Sequence, residues 1–327
     1  MIQGAAERCF EESLSTMDGV IVVDKPAGIT SFDVIREVRK ALGIRKIGHT
    51  GTLDPIATGV LPLCLNEATK VAGFLTEEDK EYLATMLLGV KTDTQDITGR
   101  VIEERDPESL TVEDLQSVIE GFQGRIVQGV PPYSAAKYRG RPRHRWVREG
   151  VPIDTPKKEV IIYNIRMESI SHPYVTFRVS CSKGTYIRVL CDDMGDRLGC
   201  GATLADLRRT RSGAFGEEDA LPLTYLSRRE GRAFVKERII PLLEVLGNLK
   251  TISVPPDVAR KIREGYQPEW GHFKDNDLPL FEREELVRLV AGDKDMVAVA
   301  RALLRTDELS SATEREQVFR LVRVFKG

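Results

Sequence analysis

The stretch 48–62, GHTGTLDPIATGVLP, holds the residues best placed by type and spacing to do chemistry. One carboxylate, Asp54, stands directly before Pro55, among three glycines, three threonines and His49. A residue preceding proline is biased towards extended backbone, so Asp54 is expected on a strand-like ledge. Gly48, Gly51 and Gly59 permit tight turns or the close approach of a ligand. A carboxylate presented in this way can act as nucleophile or base. It can equally close an Asx turn, and residue types alone leave both readings open. The Lys-Ser/Thr pair of a phosphate-binding P-loop is missing.

A second chemical feature is the run KYRGRPRHRWVR at 137–148, with six Lys or Arg and no acid. Its charges at 137, 139, 141, 143 and 145 recur every second residue, which in an extended segment would place them on one face. Tyr138 and Trp146 are interleaved, a composition suited to gripping a polyanion while stacking on bases or sugars. A plain solvated loop is the alternative.

These features need elements to position them. Residues 19–24 (GVIVVD) read as a buried strand, followed by a turn at 25–28. Ser31 is expected to cap a helix whose apolar face is Val34, Ile35, Val38 and Leu42, stopped by Gly43. Strands are expected near 60–65 and 81–89, with a short helix at 67–75 between them. Thr111 and Asp114 form a capping box for a helix carrying Leu115, Val118, Ile119 and Phe122. Residues 124–157 read as a long irregular arm. Two strands follow near 159–170 and 174–182. In the second, Val175, Phe177, Val179 and Cys181 alternate with polar residues. Helices are expected at about 186–198, 228–246 and 257–264. Short apolar runs at 286–290, 296–304 and 317–325 suggest a small β-rich unit. Strands interrupted by single helices, without regular βαβ alternation, imply an α+β fold with a mixed or antiparallel sheet.

The length, 327 residues, suits two domains. The expected organisation is a flexible leader at 1–18, a catalytic domain at 19–248 carrying the arm 124–157, and a small domain at 249–327. No apolar run approaches the ~20 residues that span a bilayer, and the N-terminus does not read as a secretory signal. The five cysteines are scattered without a C-x-x-C pair, which argues against a zinc knuckle and fits a reducing cytoplasm. Cys64 and Cys181 sit in apolar stretches as small core residues. With 48 Lys plus Arg against 50 Asp plus Glu, near neutrality argues against a generic polyanion binder without excluding one, because what counts is where the basic residues are concentrated.

The run at 48–62 resembles the signature loop of TruB-type tRNA pseudouridine synthases, with His49, Gly51, Leu53, Asp54, Pro55, Ala57, Gly59 and Leu61 at matching places. Further segments resemble the same family: DKPAGITSFDVIREVRK (24–40), KEYLATMLLGVKTDTQDITGRV (80–101), VPPYSAAKYRG (130–140) and CSKGTYIRVLCDDMGDRLGCGATLADLRRTRSGAF (181–215). The resemblance covers roughly 19–225. It implies an α+β catalytic domain around a twisted, mixed, mostly antiparallel sheet with a central cleft. Residues 251–327 faintly resemble a PUA-like domain.

The resemblance also implies the chemistry. Uridine becomes pseudouridine when the N1–C1′ bond breaks, the uracil turns, and C5 joins C1′. No atoms are added, so no cofactor and no metal are expected. The implied substrate is the uridine at position 55 of the tRNA TΨC arm, which must be flipped out of its stack. Asp54 matches the catalytic carboxylate, and Arg188 the arginine that pairs with it. Tyr82 matches the tyrosine that stacks on the uracil, and Tyr186 a second active-site tyrosine. His49 matches a histidine that contacts and displaces RNA. Lys25 and Lys80 match lysines near the site, and Leu207 an apolar pocket residue. Arg208 and Arg209 could meet phosphate. Arg141, Arg143 and Arg145 fall in the family's RNA-contacting insertion, where the match weakens. The expected enzyme is a cytoplasmic monomer that needs no protein partner. The competing readings are a guide-RNA-dependent synthase and a tRNA-folding or RNA-binding protein.

Overall fold

The computed structural model describes residues 16–226, 231–274 and 277–326. The strand β1 (Gly19–Lys25) is a continuous apolar run because both its faces are covered. Ile21 and Val23 face one core with Val34, Ile35 and Val38 of the helix α1 (Ser31–Leu42). Val20 and Val22 face a second core on the other side. The later strands of the same sheet are β2 (Thr58–Leu65), β3 (Lys80–Leu88), β4 (Gly124–Gly129), β5 (Lys157–Ser171), β6 (Tyr174–Cys181), β7 (Ala202–Ser212) and β8 (Leu221–Pro222). They lie in the order β8-β1-β2-β7-β3-β6-β5-β4 within an eleven-stranded sheet. The β1–β8 and β2–β7 pairs are parallel, and the other five along this path are antiparallel. The sheet is therefore mixed and mostly antiparallel.

Local signals in the chain account for most of these elements. Gly43 ends α1 in the left-handed region, at φ 70°. The cap of α1 is Thr30 rather than Ser31: Thr30 and Asp33 make a reciprocal capping box. That displacement by one residue frees Ser31 for a different task at the site. Thr111 and Asp114 cap the helix α2 (Val112–Glu120) as the pattern requires. Val175, Phe177, Val179 and Cys181 are all buried on β6. Cys64 and Cys181 are core residues, and burial pushes both thiols up to about 12.

Three expectations need correction. The single helix expected near 228–246 falls partly at 227–230, outside the described residues. The remainder divides into helices Gly231–Glu237 and Leu242–Val245 around the strand Ile240–Pro241. Pro241 cannot donate within a helix, and these two residues pair instead with Gly19 and Val20. The irregular arm at 124–157 contains more order than its composition suggests. Residues 124–129 form the edge strand β4, residues 137–142 a small hairpin, and Arg143–Arg148 the helix α3. The central strand β7 was not expected at all. Its sequence, ATLADLRRTRS, carries four charges and no clean alternation, and its register shifts twice against β3.

The described C-terminal residues build a separate four-stranded sheet from β9 (Lys250–Ser253), β10 (Leu286–Ala291), β11 (Asp295–Ala302) and β12 (Phe319–Val324). One face packs on the helix Pro256–Arg263 through Val258 and Ile262. The other face sends Val290, Met296 and Val299 into the second core, against Val20, Val22 and Val60 of the large sheet. No helix among the described residues is long and apolar enough to cross a membrane.

Candidate active site

The loop 50–57 crosses the end of the large sheet, and its backbone is tied down from four directions. The Ser31 hydroxyl accepts from Leu53 N–H at 2.9 Å and donates to the Leu53 carbonyl at 3.2 Å. Gly28 N–H donates to the Pro55 carbonyl at 2.8 Å. Lys25 is fully buried, and its ammonium donates to the carbonyls of Pro26, Pro55 and Ala57 at 3.0, 3.3 and 2.6 Å. Arg209 donates to the Gly51 carbonyl at 3.3 Å. Asp54 lies between these ties, and Ala57 N–H donates to its carbonyl at 3.0 Å to close the turn. Gly59 permits the crossing: at φ 98°, a Cβ there would come within 2.2 Å of the Arg209 carbonyl oxygen.

Asp54 faces Arg188, with Nε to Oδ2 at 3.4 Å, an ion-pair contact rather than a hydrogen bond. The arginine side chain is only 4% exposed and the aspartate 36%. Arg188 sits in the first turn of the helix α4 (Ile187–Leu198) and donates to the carbonyls of Thr94 and Tyr133. Burial pushes the Asp54 carboxyl above the ordinary carboxylate range. Arg188 is the main influence in the other direction, nearby Asp96 adds to the rise, and Lys25 opposes it. The Asp96 carboxylate accepts from Thr98 N–H at 3.0 Å and from the Thr94 and Thr98 hydroxyls at 3.0 and 2.5 Å, so it is committed to its own turn.

Asp54, Tyr82, Lys80, Tyr186, Arg188 and Leu207 share the wall of one cavity of about 400 Å³. Its size is that of a small-ligand site. Tyr82 comes from β3 and Leu207 from β7, both nearly buried. Tyr186 precedes α4, and Arg188 lies 6.0 Å from its ring centroid. Gln128, buried on β4, holds the Tyr186 backbone at both its N–H (3.0 Å) and its carbonyl (3.2 Å). Glu77 is a second carboxylate on the cavity wall, and it is paired with Lys183.

Several of the expected site residues have their polar groups engaged within the protein. Lys25 serves the loop from behind, and burial lowers its ammonium to about 8. Lys80 donates to the carbonyls of Thr76 and Glu78, and burial lowers it to about 8 as well. His49 accepts Gly51 N–H on Nδ1 at 3.3 Å and lies off the cavity wall. Burial, then Arg209, lowers its basicity. Arg208 pairs with Asp24 at 3.0 Å and Glu217 at 2.6 Å, and Arg209 is 1% exposed, so neither stands free for phosphate. Sequence reasoning missed Gln128, the clamp role of Ser31 and the burial of Arg209. None has a local signal, since each depends on a strand or loop distant in the chain.

The shared face expected of the arm is also corrected. Arg143 begins α3, is buried, and donates to the Asp154 carbonyl. Arg145 stays exposed on the helix, and Arg141 is half-exposed and paired with Glu149 at 2.6 Å. Tyr138 and Trp146 pack edge to face with centroids 6.2 Å apart, and Trp146 Nε1 donates to the Tyr138 carbonyl at 2.9 Å. The Arg141 guanidinium stands 4.7 Å from the Trp146 ring centroid.

Comparison with known proteins places this arrangement. Residues 39–187 match the family model of the TruB family pseudouridylate synthase N-terminal domain, and residues 188–246 match the tRNA pseudouridylate synthase B C-terminal domain. The chain belongs to the TruB family of pseudouridine synthases. It is 46% identical to tRNA pseudouridine synthase B of Syntrophus aciditrophicus (strain SB), over 94% of this chain and 99% of that one. With tRNA pseudouridine synthase B of Geotalea uraniireducens (strain Rf4) it shares 43% identity, over 89% and 94%. Among solved structures it resembles a chain in a Cbf5–Nop10–Gar1 complex, with a TM-score of 0.72 and 28% identity over 97% of this chain and 87% of that one. It also resembles a chain in an H/ACA RNP bound to a substrate RNA containing 2′-deoxyuridine, with a TM-score of 0.71 and 27% identity, over 94% and 85%. The TruB family match spans both the Asp54 loop and Arg188, so the two halves of the ion pair come from adjacent family segments.

Proposed function

We propose that this TruB-family enzyme isomerises the uridine at position 55 in the TΨC arm of tRNA to pseudouridine, with Asp54 as its single catalytic carboxylate. The observation that carries the reading is Asp54 on a cavity wall with Arg188 3.4 Å away, while the Asp96 carboxylate is committed to its own turn and Glu77 is paired with Lys183. The relatives named tRNA pseudouridine synthase B support tRNA as the substrate. The reaction moves C1′ from N1 to C5, and the C5 proton is lost while N1 gains one. A lone carboxylate can attack C1′ or take a sugar proton, and both routes need it ionised beside its cation. Tyr82, Tyr186 and Leu207 line the cavity that receives the flipped uracil, and aromatic rings there suit stacking on the base. The arm residues Arg141 and Arg145 grip the RNA backbone outside the cavity, and His49 contacts the RNA as the base is displaced. The enzyme acts as a monomer in the cytoplasm, without guide RNA or protein partner.

The test uses purified protein, one unmodified tRNA transcript and nucleotide-resolution pseudouridine mapping, with Asp54→Asn alongside. Modification confined to the TΨC-arm uridine, lost in a variant that still binds, is the expected result. An active Asp54→Asn would remove Asp54 from the chemistry. The likeness to a chain of an H/ACA RNP favours a guide-dependent enzyme as the second reading, and inactivity on free tRNA would select it.

A further inference from the structure

The rim of the cavity carries charges that the chemistry at Asp54 does not use. Glu77, Lys158, Lys183 and Gly184 line the cavity and are exposed. Lys183 and Glu77 form an ion pair that joins two different elements there. Lys183 follows β6, and Glu77 ends the short helix Ala72–Thr76. The two side chains remain 45% and 60% exposed, and an ion pair so open to water adds little to stability. Each segment is held without it. Ser182 N–H donates to the Ile161 carbonyl at 2.8 Å, and the Ser182 hydroxyl accepts from Ile161 N–H at 2.9 Å. The Thr185 hydroxyl donates to the Ser182 carbonyl at 2.9 Å, and Glu77 N–H donates to the Phe74 carbonyl at 3.1 Å. A second ammonium, Lys158, lies against the same turn: Gly184 stands at φ 76°, and a Cβ there would come within 2.2 Å of Lys158 Nζ. Lys158 has no carboxylate partner among the described residues. On β5 it stands opposite Gln128, the residue that holds Tyr186. Two cations and one exchangeable anion are thus built beside the wall that carries Tyr186 and Arg188.

A flipped nucleotide stays joined to its strand through two phosphodiesters, so phosphate has to pass over the rim of a cavity that holds the base. An ammonium can exchange a carboxylate oxygen for a phosphate oxygen without losing a charge-assisted hydrogen bond. We propose that Lys183 and Lys158 form a phosphate subsite for a phosphodiester flanking the target uridine, and that Glu77 occupies Lys183 until RNA displaces it. The inference rests on the reading of the cavity as the pocket for a flipped uridine. Such a contact fixes the position of the strand and carries no sequence information.

The experiment measures single-turnover modification of an unmodified T-arm stem–loop at increasing enzyme concentration, for the full chain and its Lys183→Gln, Lys158→Gln and Glu77→Gln variants. Each lysine variant should need about 3- to 10-fold more enzyme for half-maximal rate, with little change in the rate at saturation. Glu77→Gln should need about 2- to 5-fold less, because its lysine no longer has to be freed. An ion pair that only braced the rim would be lost equally in Lys183→Gln and Glu77→Gln. A shift of both in the same direction would therefore overturn the inference. The RNA side is tested with two stem–loops that carry a neutral methylphosphonate on the 5′ or the 3′ side of the target uridine. At one of these linkages wild type should weaken about 3- to 10-fold, and the Lys158→Gln, Lys183→Gln double variant by no more than about twofold. No loss at either linkage, or the same losses in wild type and the double variant, would also overturn it. A wild type that leaves the unmodified stem–loop untouched would instead remove the assigned substrate, and the inference would fall with it.

Discussion

The loop 50–57 and the arm 130–156 are both irregular, both rich in glycine or proline, and both assigned to RNA, yet they are built in opposite ways. The loop is held by side chains from other elements, namely Ser31, Lys25 and Arg209, whose partners are its own backbone atoms. The outer part of the arm holds itself: Tyr138, Arg141, Trp146 and Glu149 contact one another, whereas nearer the sheet Arg188 reaches in to the Tyr133 carbonyl. A group that must meet one atom of a substrate needs a backbone fixed from outside. A group that meets a flexible polyanion needs charge and exposure more than a fixed position.

The contrast has its largest expression at Asp54. Asp54→Asn should lower the single-turnover rate at least about 10⁴-fold, with tRNA binding retained. The same substitution should raise the thermal midpoint at neutral pH. A carboxyl whose native pKa is raised is favoured in its protonated form, so ionising it costs stability that returns as pH falls through the native value. Calorimetry of the two proteins checks this, and a lower midpoint for the variant would contradict it.

The next effect lies behind the loop. Lys25→Met leaves three carbonyls without their donor and should cost about 2–4 kcal/mol of unfolding free energy, read from denaturant titration, together with a reduced rate. Ser31→Ala should cost less, on the order of 1–2 kcal/mol. If both variants retained full rate, the external ties would not be what makes the loop catalytic.

A smaller effect concerns the electrostatics of the pair. Arg188→Gln should move the acid limb of the pH–rate profile to higher pH, because the main influence holding the Asp54 carboxyl down is removed while burial and Asp96 remain. An unmoved limb would detach the limb from Asp54.

The smallest effects are expected on the arm. Arg141→Ala with Arg145→Ala should reduce the slope of log binding constant against log salt by about one to two, with little effect on the rate at saturation. Arg143→Ala should leave the slope unchanged and reduce stability by about 1–3 kcal/mol, since that side chain is buried. A slope change from Arg143 and none from the other two would reverse the comparison.

Much of the molecule was legible beforehand where a signal is local. The α1 stripe, the Thr111–Asp114 box, the alternation of β6 and the loop around Asp54 all depend on residues within a few positions of one another. The strand β7 was not legible, because Arg208 and Arg209 look like surface, whereas Arg208 is paired with Asp24 on β1 and Arg209 is buried against β2 and β3. The arm was misread because its alternating charges suit an extended chain, whereas Arg143–Arg148 folds as a helix.

The sequence by itself determined that a lone carboxylate would stand before a proline among glycines, with an arginine, two tyrosines and a leucine elsewhere in the chain at spacings resembling one family. Only the tertiary structure decided which of these meet. Asp54 and Arg188 are 134 positions apart and lie 3.4 Å from each other, because β2, β7 and β3 are neighbours in the sheet without being consecutive in the chain. It also decided that Lys25, Ser31 and Gln128 support the site from behind, and that Arg209 both lines the cavity and ties the loop. Their roles depend on which distant backbone atoms the packed sheet brings within hydrogen-bonding reach, and no local pattern encodes that.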